Sequence, residues 1–339
     1  MKQIKPIIVL VSVLFVLILL IPSMLVIPFS GKDTVKLAEE RQSNPEPPQI
    51  ASGPTVEVAV HRVSAQRIEN VPLENYVVGV LAQEMPAKFE MEALKAQALA
   101  ARTYVVRHML SDQKIGVPEG ADVSDTINHQ VYKNIEELKT EWKDDYDWKI
   151  KKITQAVNET QGQILTYNGE PIDAQFFSTS NGYTENSEDY YKNEYPYLRS
   201  VPSPWDMNTE KFLGQVEMTA AEFEQKLGIK IGQGNEVGKI TARTESKRVA
   251  TVEVGGKTFT GREVRDALGL RSSDFTWERK GSHVIIKTKG NGHGVGMSQY
   301  GADGMAKEGK NYKEIVAHYY QGVEISTTEN FENKLTVKK

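Results

Sequence analysis

Polarity along the chain marks out a long apolar run, then a polar stretch, then a region where apolar positions recur at helical or alternating spacing. From Pro6 to Ser30 there is no charge, and Ile7 to Ile21 is almost unbroken aliphatic. A run of about twenty such residues matches a membrane-spanning helix. A secretory signal has a shorter apolar segment and a small-residue cleavage site. Here the run ends in SMLVIPFSGKD with no A-x-A pattern, so an uncleaved anchor over 6–29 is expected, a cleaved signal being the alternative. Lys2 and Lys5 on its N-terminal side place the tip, 1–5, in the cytoplasm of a bacterial cell and the remainder outside the membrane. Residues 30–55 are polar with a Pro-rich middle and read as a flexible tether.

Beyond the tether the pattern predicts an α+β domain over 56–324, with a cleft for substrate and a tail at 325–339. Val56 to Val60 and Gln66 to Val71 alternate as short strands. LENYVVGVLAQEMPAKFEMEALKAQALAARTYVVRHML then reads as two helices broken at Pro86, the second from roughly Glu92 to Leu110. Asn134 to Val157 is charged with an apolar side, a helix in one piece or two. Asn168-Gly169 joins Gln163–Tyr167 to Pro171–Phe177 as a hairpin. Thr219 to Glu222 is a capping box for a short helix that Gly228 closes. Strands are expected within Val237–Val254, Lys257–Thr260 and Phe275–Lys287, with a brief helix over Gly261–Leu268. That block, about 210–288, shows little chemistry and reads as scaffold. A helix from Tyr312 to Tyr320 closes the domain, and the charged tail after Glu324 is expected to fray.

Within the helix pair one carboxylate has an unusual place. Val77, Val80 and Leu81 precede Glu84 at spacings of seven, four and three, which puts Glu84 on the apolar stripe. Desolvation and the negative end of a helix stopped by Pro86 both disfavour its charge, and a carboxyl with a raised pKa suits general acid catalysis near neutral pH. The competing reading is a helix-end Glu whose carboxylate bends out to water. On the second helix Arg102 falls at or near the packed side, where it needs an anionic partner unless its head reaches solvent.

Composition then removes several chemistries. The 339 residues are 39% hydrophobic and 25% charged, enough for one large domain or two modest ones. A formal net charge of −4 shows no footprint for nucleic acid. There is no cysteine, so disulfides, thiolate catalysis and Cys-based zinc sites are excluded. None of the six histidines is paired at helical spacing, HExxH and GxSxG are missing, and His293 with Ser178 or Ser298 is no recognisable catalytic pair. Glycines 290, 292, 294 and 296 in KGNGHGVGMSQYGA free the backbone for unusual dihedrals, and Ser298 is placed to cap a helix, next to Gln299. This is no nucleotide loop, and its competing reading is a tight connection with an incidental His. Glycosidases ordinarily use two carboxyls. Glu90, Glu92, Asp173 and Glu185 are candidates for a second, and nothing in the pattern chooses among them.

LENYVVGVLAQEMPAKFEMEALKAQALAARTY, STSNGYTE and GNGHGVGMSQYGA, in this order after an anchor and tether, closely resemble the stage II sporulation protein D family of endospore formers. The resemblance covers nearly the whole chain. It implies a membrane-anchored lytic transglycosylase acting on peptidoglycan glycan strands during engulfment of the forespore. The implied partners are stage II sporulation protein P, an amidase, and stage II sporulation protein M, a membrane protein. It puts the catalytic acid/base on Glu84, and Lys95, Gln97, Arg102, Tyr104, Ser180, Asn181, His293, Ser298 and Gln299 around the glycan cleft. No cofactor is implied for this chain. Some members hold a zinc with His and Cys near the loop that ends here at His129-Gln130-Tyr132, and without cysteine this chain is expected to replace it by packing. Related domains with these motifs imply a rival reading, a binding module that activates an amidase.

Overall fold

The computed structural model describes residues 56–337 except 192, 233 and 235. The anchor, the tip and the tether expected over 1–55 lie outside the described residues. No helix among the described residues is long and apolar enough to cross a membrane.

The domain is α+β. Strand β1 (Glu57–Arg62) pairs antiparallel with β2 (Arg67–Pro72), which runs directly into α1 (Leu73–Glu84). Met85, preceding Pro86, is extended at φ −130° and ψ 133°, so the helix stops at Glu84 for the steric reason any residue before proline leaves the α region. Helix α2 (Met91–Leu110) follows. Its alanines let α1 cross closely, and their shared face is fully buried. Strand β3 (Val123–Ser124) returns parallel beside β1. The charged segment is two helices, α3 (Ile135–Trp142) and α4 (Tyr146–Asn158), separated by a 3₁₀ turn in which Lys143 has φ 49°. An Asn134–Glu137 capping box opens α3.

Strands β4 (Gln163–Tyr167) and β5 (Glu170–Pro171) turn at Asn168-Gly169, both at positive φ as a type I′ turn requires. The second arm is shorter than the alternation predicts: after Pro171 the chain leaves the sheet and forms only β6 (Phe176–Phe177). Next come α5 (Ser187–Tyr191) and a 3₁₀ turn at Pro204–Asn208. The block from β7 (Leu213–Thr219) holds α6 (Ala220–Leu227), β8 (Lys239–Arg243), β9 (Val249–Val254), β10 (Lys257–Thr260), α7 (Gly261–Leu268), β11 (Phe275–Lys280) and β12 (His283–Lys289). Two sheets form there, β10-β9-β8 and β11-β12-β7, around an apolar cluster of their own centred on Phe223, Val252 and Val284.

After β13 (Met297–Ser298), paired parallel with β6, the chain forms α8 (Gln299–Lys307) and α9 (Tyr312–Tyr319). Both return to α2, so the alanine-rich helix is enclosed by α1, α4, α8, α9 and β4 in the main core. As far as Val337 the tail is ordered, contrary to the expectation of fraying. Strand β14 (Glu324–Thr327) pairs antiparallel with β4, and in the 3₁₀ turn and α10 (Glu332–Val337) that follow, Phe331 and Leu335 bury in the main core. Charge at solvent-facing positions hid this apolar pair.

Candidate functional site

Glu84 is the last residue of α1 and lies half-buried. Burial raises its pKa, and the Val131 backbone N–H, bonded to the carboxylate, opposes that rise without cancelling it. Val131 reaches it because α1 carries Gly79, where a Cβ would collide with the Lys133 carbonyl and the Tyr132 ring. The segment 129–133 therefore lies flat against α1. From the other side Gln299 Nε2 donates to the Glu84 backbone carbonyl at 2.8 Å, so the acid is held at both carboxylate and main chain. Tyr300 packs edge-on against Phe89 at 4.9 Å, and its hydroxyl donates to Glu210 at 3.4 Å.

A row of polar aromatics extends from Glu84. Tyr76 stacks on Tyr132 at 5.2 Å, and its hydroxyl donates to Gln130 Oε1 at 3.3 Å. Burial drives its phenol well above the usual range, with Tyr104, Tyr132, Glu84 and Asp125 adding to the effect. Tyr104 stacks on His108 at 4.1 Å, and His108 meets His129 edge-on at 5.5 Å. Desolvation lowers the pKa of both imidazoles. The loop offers no cysteine to complete the His and Cys set that holds zinc in some members of the family that the sequence resembles. His129 Nδ1 is bonded to Ser124 Oγ at 2.9 Å, and His108 Nδ1 to the Tyr104 carbonyl at 2.9 Å. Among the described residues no group of three or more metal-ligating side chains is gathered. The loop is instead tied down by Tyr132, over which Arg62 sits at 5.1 Å, and by the Arg62–Asp125 pair at 2.9 Å.

The two remaining motif loops meet on a residue that sequence reasoning missed. Asp206 is fully buried and accepts from Ser180 N at 3.0 Å, Ser180 Oγ at 2.8 Å, Ser203 Oγ at 2.5 Å and Ser298 Oγ at 2.6 Å. Burial raises its pKa while these donors counter the rise. Ser180 and Ser298 thus act inside the protein, as loop anchors, and Ser298 also caps α8 by accepting from Gly301 N. Asn181 Nδ2 donates to the Ser246 carbonyl and to Asp274, each at 2.8 Å. Glycines 290, 292, 294 and 296 all have positive φ. At Gly294 a Cβ would strike the guanidinium of Arg248, which is buried beside Glu185 at 4.0 Å. His293 Nδ1 accepts from Val295 N at 3.0 Å, and its ring lies 5.6–5.7 Å from Phe177, Tyr190 and Tyr191. Burial, then the nearby Arg265, push its pKa down to about 3, so the ring is neutral.

Three residues expected at the cleft are engaged elsewhere, two of them inside the core. Arg102 is fully buried and forms a forked ion pair with Glu74, at 2.6 Å from Nη2 and 2.9 Å from Nε. It also donates to the Gln163 and Val157 carbonyls, and its fully buried guanidinium is out of a glycan's reach. Lys95 pairs with Glu92 and Glu159, and Gln97 is completely enclosed. Tyr104, in contrast, is half-buried in the aromatic row, and Gln299 touches Glu84 itself. Of the four candidates for a second carboxylate, Glu185 is locked beside Arg248, and Glu92 caps α9 by accepting from Tyr312 N at 2.8 Å. Glu90 is exposed. Asp173 alone of the four faces the aromatic row, acting on Tyr104 and His108.

The stretch carrying Glu84 and the aromatic row, residues 61–167, matches the family described as stage II sporulation protein, which sets the class to which the site belongs. The similarity then extends across the chain. It is 51% identical over 335 residues to stage II sporulation protein D of Bacillus subtilis (strain 168), covering 97% of this chain and 98% of that protein. It is 50% identical over 344 residues to stage II sporulation protein D of Bacillus amyloliquefaciens, covering 99% and 100%. The chain belongs to the stage II sporulation protein D family. At 29% identity over 304 residues it is also similar to a Bacillus subtilis protein named amidase enhancer, covering 74% of this chain and 40% of that one.

Proposed function

We propose that this member of the sporulation family is a lytic transglycosylase that cuts the bond between N-acetylmuramic acid and N-acetylglucosamine in peptidoglycan glycan strands during engulfment. The observation that carries the reading is Glu84: a half-buried carboxyl with its pKa raised by burial, fixed by the Val131 amide and by Gln299. In its neutral form Glu84 protonates the glycosidic oxygen as the bond to muramic C1 breaks. The resulting carboxylate takes the proton of the muramic C6 hydroxyl, whose oxygen attacks C1. The product is a 1,6-anhydro sugar, and the nucleophile comes from the substrate, so one acid/base suffices. In this reading 6–29 anchors the chain in the cell membrane at the sporulation septum, N-terminus inside, with 56–324 acting outside. Stage II sporulation proteins P and M are its partners, P removing stem peptides before the glycan is cut.

The relative named amidase enhancer supports a second reading, in which the domain binds peptidoglycan and activates a partner amidase without chemistry of its own. One experiment separates the two. The chain and its Glu84→Gln variant are incubated with peptide-free strands and the products analysed by mass spectrometry. Anhydro-muramic ends from the first and none from the second are expected. Reducing ends would mean a hydrolase, and no cleavage by folded protein would favour the activator.

A further inference from the structure

A concave site outside the Glu84 region lies on the block that sequence alone reads as scaffold. It is a cavity of about 690 Å³, within the range of roughly 300–1,000 Å³ that small-molecule sites occupy. Its lining includes Arg243, Lys247, Lys287 and Lys289 against a single carboxylate, Asp274. That concentration of positive charge occurs in a chain whose formal net charge is −4. Asp274 pairs with Arg243 Nη1 at 3.1 Å and accepts from Asn181 Nδ2 at 2.8 Å, so it neutralises Arg243 and leaves the excess positive charge on the three lysines. Lys287 and Lys289 are two apart on β12 and project from the same exposed face, Lys287 sharing Glu278 at 3.4 Å on the rim.

The surroundings suit a sugar. Leu213, 67% exposed, forms an apolar wall. Lys247 lies 4.9 Å from the ring centre of Tyr183, which is itself exposed and offers a stacking face. A short series of contacts links the cavity wall to the Glu84 region. Gln299 holds the Glu84 carbonyl, the neighbouring Tyr300 reaches Glu210, and three residues on is Leu213 at the cavity wall.

Building on the glycan-cleaving reading, we propose that this cavity is a remote subsite for the lactyl carboxylate that N-acetylmuramic acid exposes once its stem peptide is gone. A peptide-free strand carries one such carboxylate per disaccharide, beside apolar lactyl and N-acetyl methyls. A strand still bearing peptides has each lactyl group tied up as an uncharged amide and presents a bulky chain in its place. The cavity thereby reads whether the strand has been stripped, at a distance from the bond being cut.

The test measures binding in the full-length chain in detergent, with Glu84→Gln present so that cleavage does not intervene. Labelled peptide-free strands are titrated against this protein and against the same protein with Lys287→Glu and Lys289→Glu. Affinity is expected to fall at least about tenfold in the reversed variant, and salt is expected to weaken the parent's binding. Peptide-free strands whose lactyl carboxylates are capped as methylamides should bind the parent as weakly. Unchanged affinity in the reversed variant, undiminished binding of capped strands, or equally tight lysine-dependent binding of peptide-bearing strands would each overturn the subsite. Both lysines are exposed, so an unchanged melting temperature is expected; if the reversed variant unfolds, Lys287→Gln with Lys289→Gln serves the same comparison. Failure of the Glu84-intact chain to cleave glycan would count against the transglycosylase reading and leave this binding result standing.

Discussion

Gln299 and Glu84 stand 215 residues apart in sequence, and the Gln299 amide donates to the Glu84 carbonyl at 2.8 Å. The last carbonyls of a helix have no partner within it. Here one of them is supplied from the start of a distant helix, α8, which sets the angle at which α1 presents its terminal carboxyl. Gln299→Ala is expected to lower kcat for glycan cleavage about tenfold or more through misplacement of the acid, with KM nearly unchanged. The stability loss should be only about 1 kcal/mol, the worth of one hydrogen bond. Kinetics on peptide-free strands beside thermal melts would test the split; equal losses in kcat and stability-limited active fraction would refute it.

Glu84 and His293 should tilt the stability curve in opposite directions. The folded pKa of Glu84 lies above its ordinary 4.5, so its favourable contribution is present below about 4.5 and is lost as pH rises through the folded value. Glu84→Gln should therefore match the parent in acid and exceed it in stability at neutral pH. The folded pKa of His293 is lowered from 6.5 to about 3, so its contribution is present above 6.5 and is lost as pH falls towards 3. His293→Gln should flatten that acid limb. Denaturant melts from pH 4 to 8 would show both trends, and parallel curves for all three proteins would contradict them.

Arg102 is expected to matter for folding rather than for catalysis. Removing one member of a buried, hydrogen-bonded pair leaves an uncompensated charge, and Arg102→Ala should cost about 3–5 kcal/mol. Replacing both partners, Arg102→Met with Glu74→Leu, should recover a large part of that loss. Normal turnover per folded molecule in the double variant would distinguish this role from one in substrate binding.

Asp206→Ala would remove the acceptor that three serine hydroxyls and one backbone N–H share. A loss exceeding about 3 kcal/mol is expected, since each unsatisfied buried group costs about 1–3 kcal/mol. Hydrogen exchange should rise together in 178–183 and 298–301, because both segments depend on the same carboxylate. Exchange confined to one of them would show that the two are held independently.

What sequence could disclose followed from local regularities. The position of Glu84 was legible because helical spacing and Pro86 act within a few residues, and the Asn168-Gly169 turn and the Thr219 and Ser298 caps are equally local. Arg102 shows the limit: its spacing indicated burial and the need for an anion, but Glu74 becomes that anion only when two helices cross. Asp206 had no periodic setting, being one polar residue in a Tyr- and Pro-rich loop. Its one visible signal was an acid just after Pro204-Trp205, close to serines at 200 and 203. The cationic cavity was invisible for a similar reason, since its four cations come from two different sheets and the turn beyond one of them.

The ordered tail constrains when this domain can form. Strand β14 supplies an edge to β4 from about 160 residues downstream, and Phe331 and Leu335 fill the same core as α2. Contacts of such long sequence separation must wait for the whole intervening chain and slow the search for the native state. A chain emerging N-terminus first therefore completes the helix pair bearing Glu84 early but leaves it uncovered on one side until the final residues appear. Any cell-wall cutting that this domain performs therefore depends on residues from its far end, and a copy ended before Phe331 lacks part of the core around α2.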